Sequence, residues 1–270
     1  DNGWDPPVAP TDMLESHPYI FIRLWHAKQM KENPIRQLAQ PRLPWAYRGH
    51  EKELPNAVLI NEYGWLWLTR DGQPTSLTQN IYRFLLGADS TVEQRRELYA
   101  YYLAAMTEYW RSHRKAAGVL HFCGLTYSRP GDKPRPEGGA TSDHFLDVAK
   151  LTFEPHFERR VRDAFSPVGL MIDLWDETLP AGQTRAIKVP VINDLDRPWE
   201  GRVQLKLLQG DRCLWQQTKS CRVESLGREV LSFSVPLPKA AARFQLVAEL
   251  LGFGDCPVRS VRWFRIRASQ

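Results

Sequence analysis

The sequence predicts an α/β segment followed by an all-β segment. Residues 1–166 alternate short apolar runs with longer stretches whose apolar residues recur at helical spacing. From residue 167 the chain reads as seven short strands, over 168–175, 184–192, 202–209, 212–217, 229–235, 243–250 and 258–266. The boundary falls at Ser166-Pro167, where one texture gives way to the other.

In the first segment, residues 12–22 (DMLESHPYIFI) contain a short strand that ends near His17. Residues 23–38 have helical character interrupted by Pro34. Residues 57–60 form the next strand, which ends at Asn61-Glu62. Helical patterns follow over 77–86 and 92–115. In the second, Ser90 is placed to cap the helix and Glu93 to reach back to it. Its stripe through Tyr99, Leu103, Met106 and Trp110, at spacings of four, three and four, marks a face packed on a sheet. Residues 118–125 (GVLHFCGL) are a third strand, 128–142 a polar Pro/Gly-rich loop, and 154–164 a last helix.

Alternating strands and helices imply parallel strands joined by crossover helices. In such folds, functional residues collect on loops beyond the C-terminal ends of the strands. Those ends carry His17 and Tyr19, then Glu62, then His121, with Asn2 and Trp4 following a strand expected upstream. Any one of them alone is accounted for by local hydrogen bonding. Their recurrence at successive strand ends points to a site.

The second segment alternates clearly in Val203-Gln204-Leu205-Lys206-Leu207 and over 230–235, with turn signals at 209–211, 226–227 and 252–254. About seven antiparallel strands in about 100 residues fit an immunoglobulin-like β-sandwich. Asp194, Asp196 and Glu200 read as turn and surface residues, and no chemistry is expected there.

The net charge of +5 comes from 36 basic and 31 acidic side chains among 270 residues. Its mild clusters, Arg159, Arg160 and Arg162 and then Arg259, Arg262, Arg265 and Arg267, are accounted for by solvated helix and strand faces. They lack the dense stripe of a nucleic-acid interface, so no nucleic-acid partner is expected. No apolar run approaches the roughly 18 residues that span a bilayer, so no membrane partner is expected either. The chain opens at Asp1 without a basic-then-apolar leader, which leads one to expect a removed leader or a piece of a longer protein. Cys123, Cys213, Cys221 and Cys256 form no CxxC pair. Cys213 and Cys221 have a spacing that would let them face each other across a hairpin, but free thiols in half-buried strands are the simpler expectation, and the compartment is left open. No metal-ligand spacing stands out, and no cofactor is expected. Ten tryptophans supply core, and some are expected to line a site for a flat ligand with apolar faces, such as a sugar ring.

The stretch VLINEYGWLWL, residues 58–68, ends an apolar strand in Asn61-Glu62 and adds Tyr63, Trp65 and Trp67. Together with HPY at 17–19, GVLHF at 118–122, DNGW at 1–4 and TSDHF at 141–145, it resembles the C-terminal part of the catalytic barrel of glycoside hydrolase family 2. That family contains β-galactosidases, β-glucuronidases and β-mannosidases. The resemblance implies that residues 1–166 are about strands six to eight of a (β/α)8 TIM barrel and that 167–270 are the immunoglobulin-like sandwich after it. It also implies a retaining β-glycosidase acting on a carbohydrate. In that clan an acid/base glutamate follows an asparagine at the end of strand four, and the nucleophile ends strand seven. Only one barrel strand, 118–125, lies between Glu62 and the sandwich, so the resemblance makes Glu62 the nucleophile although Asn61 precedes it. Tyr19 is then the expected donor to Glu62. His17 and His121 are expected to contact hydroxyls, and Trp4 and Trp65 to stack on the sugar. Asn2, Asn61, Tyr63 and Asp143 complete the substrate-binding set, while Trp67 is left to the core. Relatives often carry tryptophan where this chain has His121, which leaves the sugar open.

A (β/α)8 barrel takes roughly 250 residues. Before residue 166 only three strands, and the end of a fourth, are expected. Asp12, Glu15 and Asp143 lack the Asn-Glu context of the acid/base, which is therefore expected upstream of Asp1. The missing N-terminal part of the barrel is the expected partner, and 1–270 alone is expected to be inactive. The alternatives are a non-catalytic carbohydrate-binding or scaffold protein with a degenerate glycosidase fold, or an interaction module in which Glu62 is buried against an Arg or Lys.

Overall fold

The computed structural model describes residues 8–22, 32–40, 56–125, 139–252 and 257–267. In chain order these carry β1 (Leu14–Ser16), a 3-10 helix (Pro34–Ala39), β2 (Val58–Ile60), α1 (Gln79–Leu86), α2 (Val92–His113) and β3 (Gly118–Val119). There follow β4 (Phe145–Asp147), β5 (Thr152–Phe153), α3 (Pro155–Ala164), β6 (Val168–Leu170), β7 (Thr178–Pro180), β8 (Thr184–Asn193) and β9 (Trp199–Gln209). The last four strands are β10 (Arg212–Val223), β11 (Arg228–Pro236), β12 (Arg243–Leu251) and β13 (Arg259–Arg267). The described residues fall in two compact units, the first within 1–35, 41–106 and 113–161, the second within 36–40, 107–112 and 162–270.

In the first unit β1, β2 and β3 form a three-stranded sheet in that order, both pairs parallel. Leu14 stands opposite Val58, Ser16 opposite Ile60, and Leu59 opposite Gly118. The pleat separates two faces. Leu14, Ser16, Val58 and Ile60 are buried on one, whereas Glu15, Leu59, Asn61 and Gly118 keep partial exposure. At position 118 a Cβ would lie 2.6 Å from the end of the Leu59 side chain, so glycine lets that side chain keep its place. Parallel sheets ordinarily have both faces covered. Here the polar face is only partly covered.

Helix α2 departs from the expected single stripe: every residue from 98 to 110 is buried, so it is a core helix over that length. Its cap also lies one residue later than expected. Thr91 Oγ1 accepts the Gln94 N–H (3.2 Å) and Gln94 Oε1 accepts the Thr91 N–H (2.9 Å). Glu93 instead contacts His156 Nε2 at 2.5 Å, and the Ser90 carbonyl accepts from Arg95. Helix α3 starts on Glu154, whose carboxylate accepts the N–H groups of His156 (3.0 Å) and Phe157 (2.8 Å). The β4–β5 hairpin was not expected; its ladder is short, and stacking of Phe145 on Phe153, 4.4 Å between ring centres, supports it. Of the loop expected at 128–142, residues 128–138 lie outside the described residues.

The second unit is a β-sandwich of a five-stranded sheet, β10-β9-β12-β13-β7, and a three-stranded sheet, β11-β8-β6. All ladders are antiparallel except β13 with β7. One core draws on both sheets: Val189, Val191, Phe233 and Val235 from one, and Val203, Leu205, Leu246 and Phe264 from the other. The expected strand over 168–175 stops at Leu170, and β7 was not anticipated. Cys213 and Cys221 lie on the same strand, β10, which rules out a cross-hairpin pair; both are free thiols. Burial pushes the Cys221 thiol up to about 11.

Asp194 is exposed beyond the end of β8, as expected, whereas Arg262 departs from the surface reading of the sequence. Asp194 accepts from Arg111 at 2.6 Å, and the same guanidinium also donates to the carbonyls of Ala164 and Ser166. Arg262, expected on a solvated face, is only 3% exposed and pairs with equally buried Glu108 at 2.9 Å. Glu108 also accepts from the Ser260 hydroxyl (2.7 Å), which accepts the Ile172 N–H (2.9 Å), and the Arg262 guanidinium lies 4.5 Å from the Trp175 ring centre. Removing one partner strands a buried charge. Arg262→Ala is expected to lower stability by about 3–5 kcal/mol in chemical denaturation, and the double change Glu108→Leu/Arg262→Met to recover most of that loss. An equal loss in the double variant would contradict this account.

Candidate functional site

The three strands run parallel, so their C-terminal ends lie on one side of the sheet and deliver His17 and Tyr19, Asn61 and Glu62, and His121 there. The Tyr19 hydroxyl donates to Glu62 Oε2. His17 Nε2 lies 3.8 Å from Glu62 Oε1. Asn61 Nδ2 donates to Glu15 Oε2 at 3.1 Å, tying the end of β2 to the middle of β1. Burial, and then the charge of Glu15, hold the Glu62 carboxyl above its ordinary value of 4.5. Burial lowers His17, against smaller opposing effects of Glu15 and of a hydrogen bond with Asn61. At neutral pH His17 is therefore uncharged, and its contact with Glu62 is polar rather than ionic. Among the described residues no Arg or Lys pairs with Glu62.

Aromatic rings pack on Tyr19, the donor to this carboxylate. Tyr19 meets Trp65 edge-on at 4.8 Å and Trp67 at 5.9 Å, and the two indoles are 4.5 Å apart. The turn after Glu62 requires left-handed backbone at Gly64 (φ +100°) and at Trp65 (φ +74°). Glycine takes this conformation freely, whereas tryptophan there costs about 1–2 kcal/mol. The Trp65 indole N–H donating to the Leu77 carbonyl at 3.3 Å helps to offset that cost. Trp65 keeps part of its surface exposed. Trp67 is buried and donates to the Phe122 carbonyl (3.1 Å), as expected of a core residue. Tyr63 is 1% exposed, which leaves it almost no surface to offer a ligand.

The other expected residues gather elsewhere in the first unit. His121 Nε2 lies 2.8 Å from His144 Nε2. Burial lowers His121 to about 3 and His144 well below its ordinary value, so both are neutral and one ring donates to the other. The His121 ring contacts are with Tyr63, Tyr99, His144 and Phe157. His144 stacks on Phe157 at 3.7 Å. Asp143 is fully buried at its side chain, pairs with Arg70 at 2.6 Å and accepts the Phe145 N–H at 3.0 Å. The expected set thus divides into a Glu62 group, with Tyr19, His17, Asn61 and Trp65, and His121 and Asp143, which have none of these contacts to Glu62. Asn2 and Trp4 lie outside the described residues.

Two site neighbours were not expected, Glu15 and His144. Glu15 was legible in principle: position 15 of β1 stands opposite 59 of β2, on the face towards which 61 continues the alternation. His144 becomes visible only through its pairing across 23 residues. Among the described residues no three His, Cys, Asp or Glu side chains are grouped to hold a metal ion, and no helix is long and apolar enough to cross a membrane.

No protein-family model matches the chain, and no curated protein matches it. Solved structures with partial likeness include a cycloisomaltooligosaccharide glucanotransferase from Paenibacillus sp., 16% identical over 35% of this chain and 13% of that one, with a TM-score of 0.29. A β-glucosidase from Listeria innocua is 10% identical over 38% of this chain and 16% of its own (TM-score 0.31). A Salmonella alpha-2-macroglobulin is 18% identical over 38% and 7% (TM-score 0.32). The chain thus spans less than a fifth of each of these proteins, and likenesses this low say nothing of function.

The environment of Glu62 has a consequence for stability. A carboxyl held above 4.5 in the folded state stabilises the fold below that pH, and the contribution is lost as pH rises through the folded-state value. Glu62→Gln, which mimics the protonated form, is expected to melt higher than the wild type at about pH 7 and to match it near about pH 3.5. Calorimetry of 1–270 that shows a lower melting temperature for the variant at neutral pH would contradict this.

Proposed function

We propose that the chain is the C-terminal part of a retaining β-glycosidase barrel like those of glycoside hydrolase family 2, followed by an immunoglobulin-like sandwich. On this reading Glu62 is the nucleophile. The observation that carries the reading is the placement of Glu62: a carboxylate beyond the middle strand of a parallel sheet, hydrogen-bonded by Tyr19, on which a partly exposed tryptophan packs, and without a Lys or Arg partner among the described residues. That last feature also runs against a purely structural Glu62.

Retaining hydrolysis uses two carboxyl groups about 5–5.5 Å apart. Glu62 would attack the anomeric carbon through one oxygen while Tyr19 holds the other. The leaving oxygen takes its proton from the acid/base, and water, activated by the same group, then releases the sugar from Glu62. A carboxylate with raised proton affinity is the stronger nucleophile once ionised. Trp65 would stack on the sugar face. His17 and Asn61 would contact hydroxyls. The acid/base and the remaining strands are assigned to a further segment, which would also cover the polar face of the β1–β2–β3 sheet.

The protein at its full natural length should hydrolyse one or more aryl β-glycosides, and Glu62→Gln should lower kcat by about 10,000-fold or more. Residues 1–270 alone should show no turnover. Activity that survives Glu62→Gln would overturn the nucleophile assignment.

A further inference from the structure

We propose that Glu15 is a positioning residue for Glu62, fixing the end of β2 through Asn61. The proposal rests on the reading of Glu62 as the working carboxylate, and it adds a residue that lies outside the strand-end set. Glu15 sits in β1 opposite Leu59, on the partly exposed face of the sheet. Its Oε2 accepts from Asn61 Nδ2 at 3.1 Å, and the Asn61 N–H donates to the Ser16 carbonyl at 3.3 Å. Asn61 is therefore held to β1 by both side chain and backbone. Glu62 is the next residue, at the point where the chain leaves the sheet for the turn at Gly64 and Trp65. A hold on Asn61 is thus a hold on the direction in which Glu62 departs.

Glu15 also acts through its charge. After burial, its charge raises the proton affinity of Glu62, and it also raises that of His17. Among the described residues, Tyr19, a neutral donor, and His17, neutral by burial, also face Glu62.

Two effects of Glu15 can be separated in residues 1–270 by NMR titration of labelled glutamate carboxyls, with Glu62 assigned from Glu62→Gln. Glu15→Gln keeps an acceptor oxygen for Asn61 and removes the charge. The Glu62 midpoint should move to lower pH while the Asn61 side-chain amide signals stay in place. Glu15→Leu removes both, and should move the midpoint and also shift the Asn61 amide signals. Glu15→Asp keeps the charge, and its midpoint should stay nearest the wild type. Should the leucine variant fail to fold, the glutamine and aspartate variants decide. A Glu62 midpoint that is the same in the wild type and Glu15→Gln would overturn the electrostatic part, and unmoved Asn61 signals in a folded Glu15→Leu would overturn the positioning part. Neither readout involves a sugar. If the glycosidase reading fails, as full activity in Glu62→Gln would show, these titrations stand or fall independently.

Discussion

The parallel register of β1, β2 and β3 is the constraint on which the site depends. Strand ends meet on one side of a sheet only if the strands run the same way and start level, as Leu14 opposite Val58 and Leu59 opposite Gly118 show. The register follows from packing. Leu14, Val58 and Ile60 share the buried face, and a slip of one residue would exchange them for Glu15, Leu59 and Asn61. Gly118 allows the Leu59 side chain to lie across β3. The apolar face thus fixes where the polar face and the strand ends must be.

On that frame the surroundings of Glu62 balance opposing effects. Burial and Glu15 favour its protonated form, and the Tyr19 hydroxyl favours the carboxylate. The rings of Trp65 and Trp67 pack on Tyr19 and are anchored by indole hydrogen bonds to the carbonyls of Leu77 and Phe122. Trp65 holds a left-handed backbone at some cost, and its ring is thereby set against Tyr19 and Trp67.

Much of this was legible in the sequence, because it follows from local pattern. Apolar runs ending in His17, Asn61-Glu62 and His121 gave the strand ends, and alternation in Val203 to Leu207 gave a sandwich strand whose apolar residues are buried as the pattern requires. What escaped depended on distance. The capping box shifted to Thr91 and Gln94 because Glu93 is taken by His156, 63 residues away. Arg262 looked like a surface charge until Glu108, 154 residues away, was placed against it. His121 was expected to contact hydroxyls at the rim shared with Glu62, yet it pairs with His144, since a strand end fixes where a side chain starts and its neighbours decide where it goes. Glu15 was set aside for lacking an asparagine before it, although its contact with Asn61 comes from across the sheet.

The most direct measurement is covalent trapping. The full-length protein, treated with an activated 2-deoxy-2-fluoro-β-glycoside and digested, is read by peptide mass spectrometry. The account predicts one sugar attached to the peptide that contains Glu62, through an ester at that side chain. Attachment at another carboxylate, Glu15 or Asp143 included, would contradict it.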